Sequence, residues 1–299
     1  MKTKTHHIVA YSLLTILVSW SFFALFKLFG GKWEGFQMVI IGAIYMYFPL
    51  LSALIYKKIF LKNEKLEIAL NFKLNYYWLF AWLIMPIIAL LTFYINIQML
   101  GYEYSADLTG YINQISKSLP QEQIKEATKQ LQNLPIGIFW ISLISALFSG
   151  ISINALAAFG EEYGWRGFLF YLLKGKSFIK ASLIIGFVWG IWHAPLILMG
   201  HNYPDHPKWG ILMMIAFCIL LSPIFNYVRI KTNSVIGVSI LHGTLNASAG
   251  IAIIMLNKSH DLISGVTGLS GFLAIIIILL LITVYDSFIS KDKIIFHKI

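Results

Sequence analysis

Runs of about 20 apolar residues recur along this chain, and that is the length a helix needs to cross the hydrocarbon core of a bilayer. They lie at approximately 8–29, 36–56, 76–100, 150–173, 181–199, 209–228, 235–256 and 270–289. Hydrophobic residues make up 58% of the 299 positions and charged residues only 12%, against roughly 25% charged in soluble domains. We predict an all-α, polytopic integral membrane protein with about eight transmembrane helices and an intramembrane polar cavity.

The region before the fourth run is harder to interpret. Residues 135–149, "PIGIFWISLISALFS", are also apolar and continue directly into that run. The combined stretch is too long for one straight span. We therefore predict a bend near Ser149 and Gly150, with the first part lying in the interface or re-entering the membrane. The first run has no clear small-residue cleavage site after it and is interpreted as an uncleaved span.

The basic residues favour one orientation. If eight spans place both termini on the same side, most of the 23 Lys and Arg residues fall on that side. Cytoplasmic loops carry such an excess. We predict cytoplasmic termini in a cytoplasmic membrane, and attribute the net charge of +10 to these loops rather than to a nucleic-acid partner. The single cysteine, Cys218, excludes an internal disulfide.

Two polar segments are predicted on the outer side. In loop 101–134, "QEQIKEATKQLQNL" has the pattern of a short amphipathic helix, and a solvated connector is favoured over a lid. A shorter loop, "HNYPDH", contains His201, Asp205 and His206. For this loop a solvated turn is favoured over a metal site.

Ionisable residues within an apolar span indicate a functional site, because charge is costly in lipid. The segment "AFGEEYGWRGFLF" places Glu161, Glu162 and Arg166 in the fourth run. Glu162 and Arg166 are four residues apart, so they share a helix face and can pair. Glu161 lies about 100° around the axis, and we expect it to point into a cavity. A buried ion pair that only fixes helix packing is the alternative interpretation.

Three further polar residues lie at a similar depth. His193 is in the fifth predicted span, while His242 and Asn246 share one face of the seventh. Counted from the lysines that mark the span ends, Glu161, His193 and His242 all lie roughly 16–20 Å from the inner boundary at 1.5 Å per residue. Independent packing residues are not expected to agree in depth, so these residues are predicted to form one site.

This set of side chains suits attack of water on an amide. A carboxylate in a low-dielectric cavity can act as a general base, a histidine can help to hold the water, and Asn246 and His242 offer donors for a developing oxyanion. No metal is required. Zinc held by Glu161, His193 and His242 is the alternative, although the helical H-E-x-x-H motif is absent. A serine nucleophile is disfavoured because no nucleophile-elbow motif is present.

"EEYGWR", "FVWGIWH" and "HGTLN" occur in this order on apolar segments. Together they resemble the three-motif signature of the CAAX-prenyl-protease and bacteriocin-processing (Abi) family of intramembrane endopeptidases, over about residues 150–255. The second motif has Trp189 where the family usually has Phe. The resemblance implies that Glu161 is the catalytic base, that His193 is its partner on the water, and that His242 and Asn246 stabilise the oxyanion. Glu162 and Arg166 would then be a supporting ion pair.

We therefore expect a single membrane domain in three parts. Residues 1–134 hold N-terminal helices and the long loop, residues 135–256 the catalytic core, and residues 257–299 the last helix and tail. The predicted function is hydrolysis of a peptide or membrane-anchored protein substrate, with a role in peptide processing or bacteriocin self-immunity. The alternatives are a non-catalytic immunity or regulatory protein and a proton-coupled transporter, the latter disfavoured because no internal repeat is seen.

Overall fold

A computed structural model describes residues 2–106 and 137–299, with isolated positions between these ranges. In the described ranges the regular elements are helices, and the extended segments form only isolated β-bridges. The all-α class is confirmed. The predicted amphipathic helix of the long loop falls mostly on residues outside the described ranges.

The main helices are numbered in chain order. They are α1 (Lys2–Leu28), α2 (Gly35–Met46), α3 (Phe48–Phe60), α4 (Tyr76–Met99), α5 (Ile138–Ile151), α6 (Ile153–Glu162), α7 (Phe178–Trp192), α8 (Ala194–Leu198), α9 (Pro207–Thr232), α10 (Val235–Ser248) and α11 (Leu269–Phe288). Helix α6 continues through a π-helix, Tyr163–Leu169, and a final turn, Phe170–Leu172.

The described residues contain six helical stretches that are long and apolar enough to cross a membrane. These are Thr5–Leu28, Gly35–Phe60, Tyr76–Met99, Pro207–Thr232, Val235–Ala252 and Leu269–Phe288. The bent pair Ile138–Ile151 and Ile153–Leu172 gives a seventh if it is counted as one span. Large apolar side chains such as Leu17 and Leu280 are exposed on these helices, as contact with lipid requires. The chain is a polytopic membrane protein.

The prediction of eight spans needs one correction. The fifth predicted span, 181–199, corresponds to α7, a helix of only 15 residues. Helix α7 ends at Trp192, and α8 begins with Pro195 in its first turn. Proline lacks the N–H that a continuous helix would need at this point. The break therefore leaves α7 shorter than a standard span.

The bend predicted near Ser149 and Gly150 is present. Helices α5 and α6 meet at an angle of 49°, with the break at Ser152, two residues beyond the predicted position. The Ser152 hydroxyl donates to the carbonyl oxygen of Phe148 at 2.7 Å, a local bond that competes with regular helix geometry. The bend directs α6 and its carboxylates into the helix bundle.

Close helix packing surrounds the region of the charged residues. A Cβ atom at Gly186 of α7 would lie 2.6 Å from the Cα of Ile219 on α9. This separation is too small for any side chain, so glycine is needed for α7 and α9 to pack backbone to backbone. Helix α10 packs against α4, α5 and α6. The motif-bearing helices α6, α7 and α10 are thereby held around one interior.

The N-terminal helices are attached at the end of α7. The Trp192 carbonyl oxygen accepts hydrogen bonds from the Tyr45 hydroxyl at 2.9 Å and the Trp20 indole at 3.2 Å. The Trp192 indole donates to the Ser19 hydroxyl at 2.8 Å. Helices α1 and α2 therefore fix the main chain immediately before His193.

Candidate active site

Both glutamates of the first motif lie at the end of α6 and are almost completely buried, Glu161 at 2% and Glu162 at 0% exposure. Two glycines allow this placement. A Cβ at Gly160 would lie 2.6 Å from the Met46 carbonyl oxygen, and one at Gly164 would lie 2.7 Å from the Tyr11 hydroxyl. The N-terminal helices therefore pack closely against the backbone of α6 and of the π-helix that follows it, which contributes to the burial of the carboxylates.

Glu162 is the centre of an ion-pair network. Both of its carboxylate oxygens accept from the same guanidinium nitrogen of Arg166, each at 3.1 Å. Its Oε1 also lies 2.7 Å from His242 Nδ1. Since a carboxylate only accepts, His242 donates through a proton on Nδ1. The Glu162–Arg166 pairing that the spacing predicts is present, and His242 is a further partner of the same carboxylate.

Arg166 is fully buried, and aromatic rings cover its guanidinium. The Arg166 Cζ lies 4.4 Å from the ring centroid of Trp189 and 4.5 Å from that of Phe225. A second guanidinium nitrogen donates to the Ser222 hydroxyl at 3.2 Å. These contacts replace part of the hydration that the cation loses on burial.

The π-helix begins directly after Glu162. A π-helical turn displaces the regular backbone hydrogen bonds and is frequent at functional sites. The Arg166 carbonyl oxygen accepts from the Arg229 side chain at 2.9 Å. Arg229 of α9 thus stabilises the backbone of the π-helix from outside the first motif.

Glu161 is held separately from this ion pair. Its Oε2 accepts from the Trp189 indole at 2.7 Å and from the Trp165 indole at 3.4 Å. Oε1 takes no part in these two bonds. Two neutral donors orient the carboxylate without neutralising its charge, so Glu161 retains an oxygen that can accept a proton.

His193 lies in the break between α7 and α8. Its Nδ1 is 2.8 Å from the main-chain carbonyl oxygen of Trp189. A carbonyl oxygen only accepts, so the proton is on Nδ1 and the neutral ring has its lone pair on Nε2. The side chain is partly exposed. His193 can therefore present a basic nitrogen to a bound molecule.

Trp189 joins four of the predicted residues. It donates to Glu161, stacks on Arg166 and accepts from His193. Its ring centroid also lies 5.4 Å from that of His242. The three motifs meet around this one indole, as their similar predicted depth requires.

Asn246 is less closely tied to this cluster. It follows His242 by four residues on α10, and its side chain is exposed. This exposure sets Asn246 apart from the buried carboxylates of the first motif.

The alternative zinc set gains no support from ligand distances. In the part of the chain that the structure describes, one group brings three potential ligand atoms within 4.8 Å of one another, and it consists of His206, His260 and Asp261. Glu161, His193 and His242 do not form such a group.

Several residues of the site were not predicted to have a role in it. They are Trp165, Ser222 and Arg229, together with Trp189 as a hydrogen-bond donor. Trp165 follows Glu161 by four residues, a spacing that can indicate contact on a helix. Ser222 and Arg229 belong to α9, which carries none of the three motifs, so the sequence contains no comparable signal for them.

The comparisons with known proteins support the family resemblance of the three motifs. Residues 135–248 match the model of the family described as "Type II CAAX prenyl endopeptidase Rce1-like". A segment of 49 residues is 47% identical to CAAX prenyl protease 2 of Methanococcus maripaludis, covering 16% of this chain and 18% of that relative. With the helical fold and the converging motifs, these matches place residues 135–248 in the Rce1-like family of type II CAAX prenyl endopeptidases.

Proposed function

We propose that this protein is an intramembrane endopeptidase that hydrolyses a peptide bond by means of a water molecule activated by Glu161 and His193. The observation that carries the proposal is that the adjacent carboxylates of Glu161 and Glu162 have different kinds of partner. Arg166 and His242 occupy Glu162, whereas two indoles orient Glu161 and leave its charge available.

The proposed reaction begins when the Glu161 carboxylate takes a proton from a water molecule that also hydrogen-bonds to His193 Nε2. The water oxygen attacks the carbonyl carbon and forms a tetrahedral oxyanion. Protonated Glu161 then gives its proton to the leaving nitrogen as the C–N bond breaks. Each proton taken from water is thus returned to a product.

Oxyanion stabilisation is assigned to His242 and Asn246. The Asn246 amide can donate directly. His242 already donates through Nδ1 to Glu162, so it can donate through Nε2 only as an imidazolium. The Glu162 carboxylate stabilises that cation. Glu162 therefore balances the positive charge of Arg166 and also supports the proposed oxyanion donor.

The proposed substrate is a peptide or a membrane-anchored protein. The name of the M. maripaludis relative refers to CAAX prenyl processing, which makes a prenylated C-terminal peptide the first candidate. A second is an unmodified peptide, such as a bacteriocin precursor. We further propose, from the distribution of basic residues, that both termini lie in the cytoplasm.

The test is cleavage of quenched fluorescent peptides, prenylated and unprenylated, by the detergent-purified full chain. Glu161→Gln is expected to abolish cleavage. Glu34→Gln is the matched control, since Glu34 is exposed and contacts only Lys32 at 3.7 Å among the ion pairs of the described residues. Cleavage that persists in Glu161→Gln would refute the proposal.

A chelator arm separates the mechanisms. Activity that is lost in Glu161→Gln and His193→Ala but unaffected by a strong chelator supports the glutamate mechanism. Loss with chelator and recovery with zinc would favour the zinc alternative. If Glu161→Gln preserved full immunity in cells to a bacteriocin, the non-catalytic alternative would be favoured instead.

A further inference from the structure

Two loops that the proposed reaction does not use meet around one carboxylate. One is loop 199–206, before α9, and the other is loop 253–268, before α11. Asp261 of the second loop accepts through Oδ2 the main-chain N–H groups of Asp205 at 2.9 Å and His206 at 3.1 Å. These bonds fix the carboxylate and direct Oδ1 toward two histidines.

His206 and His260 face this oxygen. The Nδ1 atoms of His206 and His260 lie 2.7 Å and 3.6 Å from Asp261 Oδ1. The two rings are stacked, with centroids 4.9 Å apart and planes inclined by 21°. The side chains of His206 and His260 are 38% and 42% exposed, whereas that of Asp261 is 7% exposed. The cluster is thus anchored on a buried carboxylate and open to solvent on the imidazole side.

We propose that His206, His260 and Asp261 form a binding site for Zn²⁺ or a similar borderline divalent metal ion. Their potential ligand atoms lie within 4.8 Å of one another. Two imidazoles and one carboxylate, with a further position open to water, are a donor set that zinc favours. Calcium and magnesium prefer ligands that are all oxygen.

The distances fit with small adjustments. Ligand atoms about 2.1 Å from a tetrahedral zinc lie roughly 3.4 Å apart. The His260–Asp261 separation of 3.6 Å is close to this value, and the His206–Asp261 separation of 2.7 Å must widen by less than 1 Å. The His206 ring must also carry its proton on Nε2 instead of Nδ1, since Nδ1 can bind a metal only through its lone pair. His260 Nδ1 must give up the hydrogen bond that it accepts from the Leu262 N–H, which is long at 3.3 Å, in order to bind the metal instead.

The surrounding loops are already held together without metal. The Tyr203 hydroxyl donates to the Thr267 carbonyl oxygen at 2.8 Å, and the Ser264 hydroxyl accepts from the His260 N–H at 2.7 Å. A metal ion would therefore enter a formed site and add a further link between the ends of α9 and α11. This inference does not depend on the proposed peptidase activity.

The test is zinc titration of the full chain in detergent, after treatment with a chelator and its removal. We expect saturable binding of one Zn²⁺ and a rise in melting temperature. His260→Ala should weaken binding at least 100-fold, since even the loss of outer partners of metal ligands costs 10–100-fold.

Two controls keep the result interpretable. His297→Ala removes an exposed histidine near the C-terminus and should leave binding unchanged. His193→Ala should also leave it unchanged, which separates this site from zinc bound at the candidate active site. Equal melting temperatures of His260→Ala and the unaltered protein without zinc would show that the variant is folded. Unchanged affinity in His260→Ala, or no saturable binding below millimolar zinc, would overturn the proposal.

Discussion

The buried pair of Glu162 and Arg166 allows a quantitative test of the site. Both side chains are fully buried, and removing one partner of such a pair typically costs about 3–5 kcal/mol because the other charge is left uncompensated. We expect Glu162→Leu to fall at the upper end of this range, since Arg166 would lose both carboxylate contacts. Arg166→Met should fall at the lower end, because Glu162 still accepts a hydrogen bond from His242 at 2.7 Å.

The double variant distinguishes ion pairing from simple packing. Replacing both charges by apolar groups of similar volume leaves no buried charge, so its cost should be well below the sum of the two single costs. The assay is reversible unfolding in mixed micelles, with the free energy of unfolding measured for all four proteins. If the single costs add to within about 0.5 kcal/mol, the two side chains are not energetically coupled and the reasoning is wrong.

Three further predictions concern single residues. Trp189→Phe removes the 2.7 Å hydrogen bond to Glu161, the proposed base. Because a hydrogen bond to a charged group contributes about 1.5–3 kcal/mol, we expect the rate of peptide cleavage to fall about 10- to 100-fold. Trp165→Phe should lower the rate less, since its hydrogen bond to Glu161 is longer, at 3.4 Å. Burial lowers the pKa of His201 from 6.5 to about 4. Because the unfolded chain then binds the proton more tightly than the folded chain, stability should fall as the pH drops from about 6.5 to 4. Melting temperatures measured across this pH range should show the fall, and His201→Phe should make it smaller. Gly160→Ala should lower stability by about 1–3 kcal/mol, because the added Cβ would lie 2.6 Å from a carbonyl oxygen. Gly137→Ala is the control and should leave stability unchanged, since its added Cβ has no neighbour within 4 Å. Unfolding in urea or detergent would measure both variants.

The sequence predicts the fold class and the identity of the motif residues well, because both rest on local patterns. Apolar length identifies the spans, and the i,i+4 spacing of Glu162 and Arg166 predicts their ion pair. The depth argument predicts that Glu161, His193 and His242 lie close together, and their contacts with Trp189 or Glu162 agree with it. The roles assigned to these residues in catalysis are still predictions.

Other features depend on long-range contacts that local patterns do not encode. Nothing near His242 indicates that Glu162, 80 positions earlier, is its hydrogen-bond partner. The same applies to His206 and Asp261, which are 55 residues apart. The sequence alone favours a solvated turn for "HNYPDH", because His260 and Asp261 lie in a second loop far along the chain. The span predicted over 181–199 extends beyond α7, because the apolar sequence continues past His193 whereas the helix ends at Trp192.

The contacts made by Trp192 have a consequence for dissecting the family region. Tyr45, Trp20 and Ser19 lie outside residues 135–248, yet they supply the partners of the Trp192 carbonyl and indole. An excised fragment limited to 135–248 would lose these partners, and the main chain that carries His193 would no longer be fixed. A chimera that exchanges the core between homologues should therefore transfer α1 and α2 along with it. We expect the smallest fragment that keeps these hydrogen bonds to include α1 and α2 as well as the motif-bearing helices.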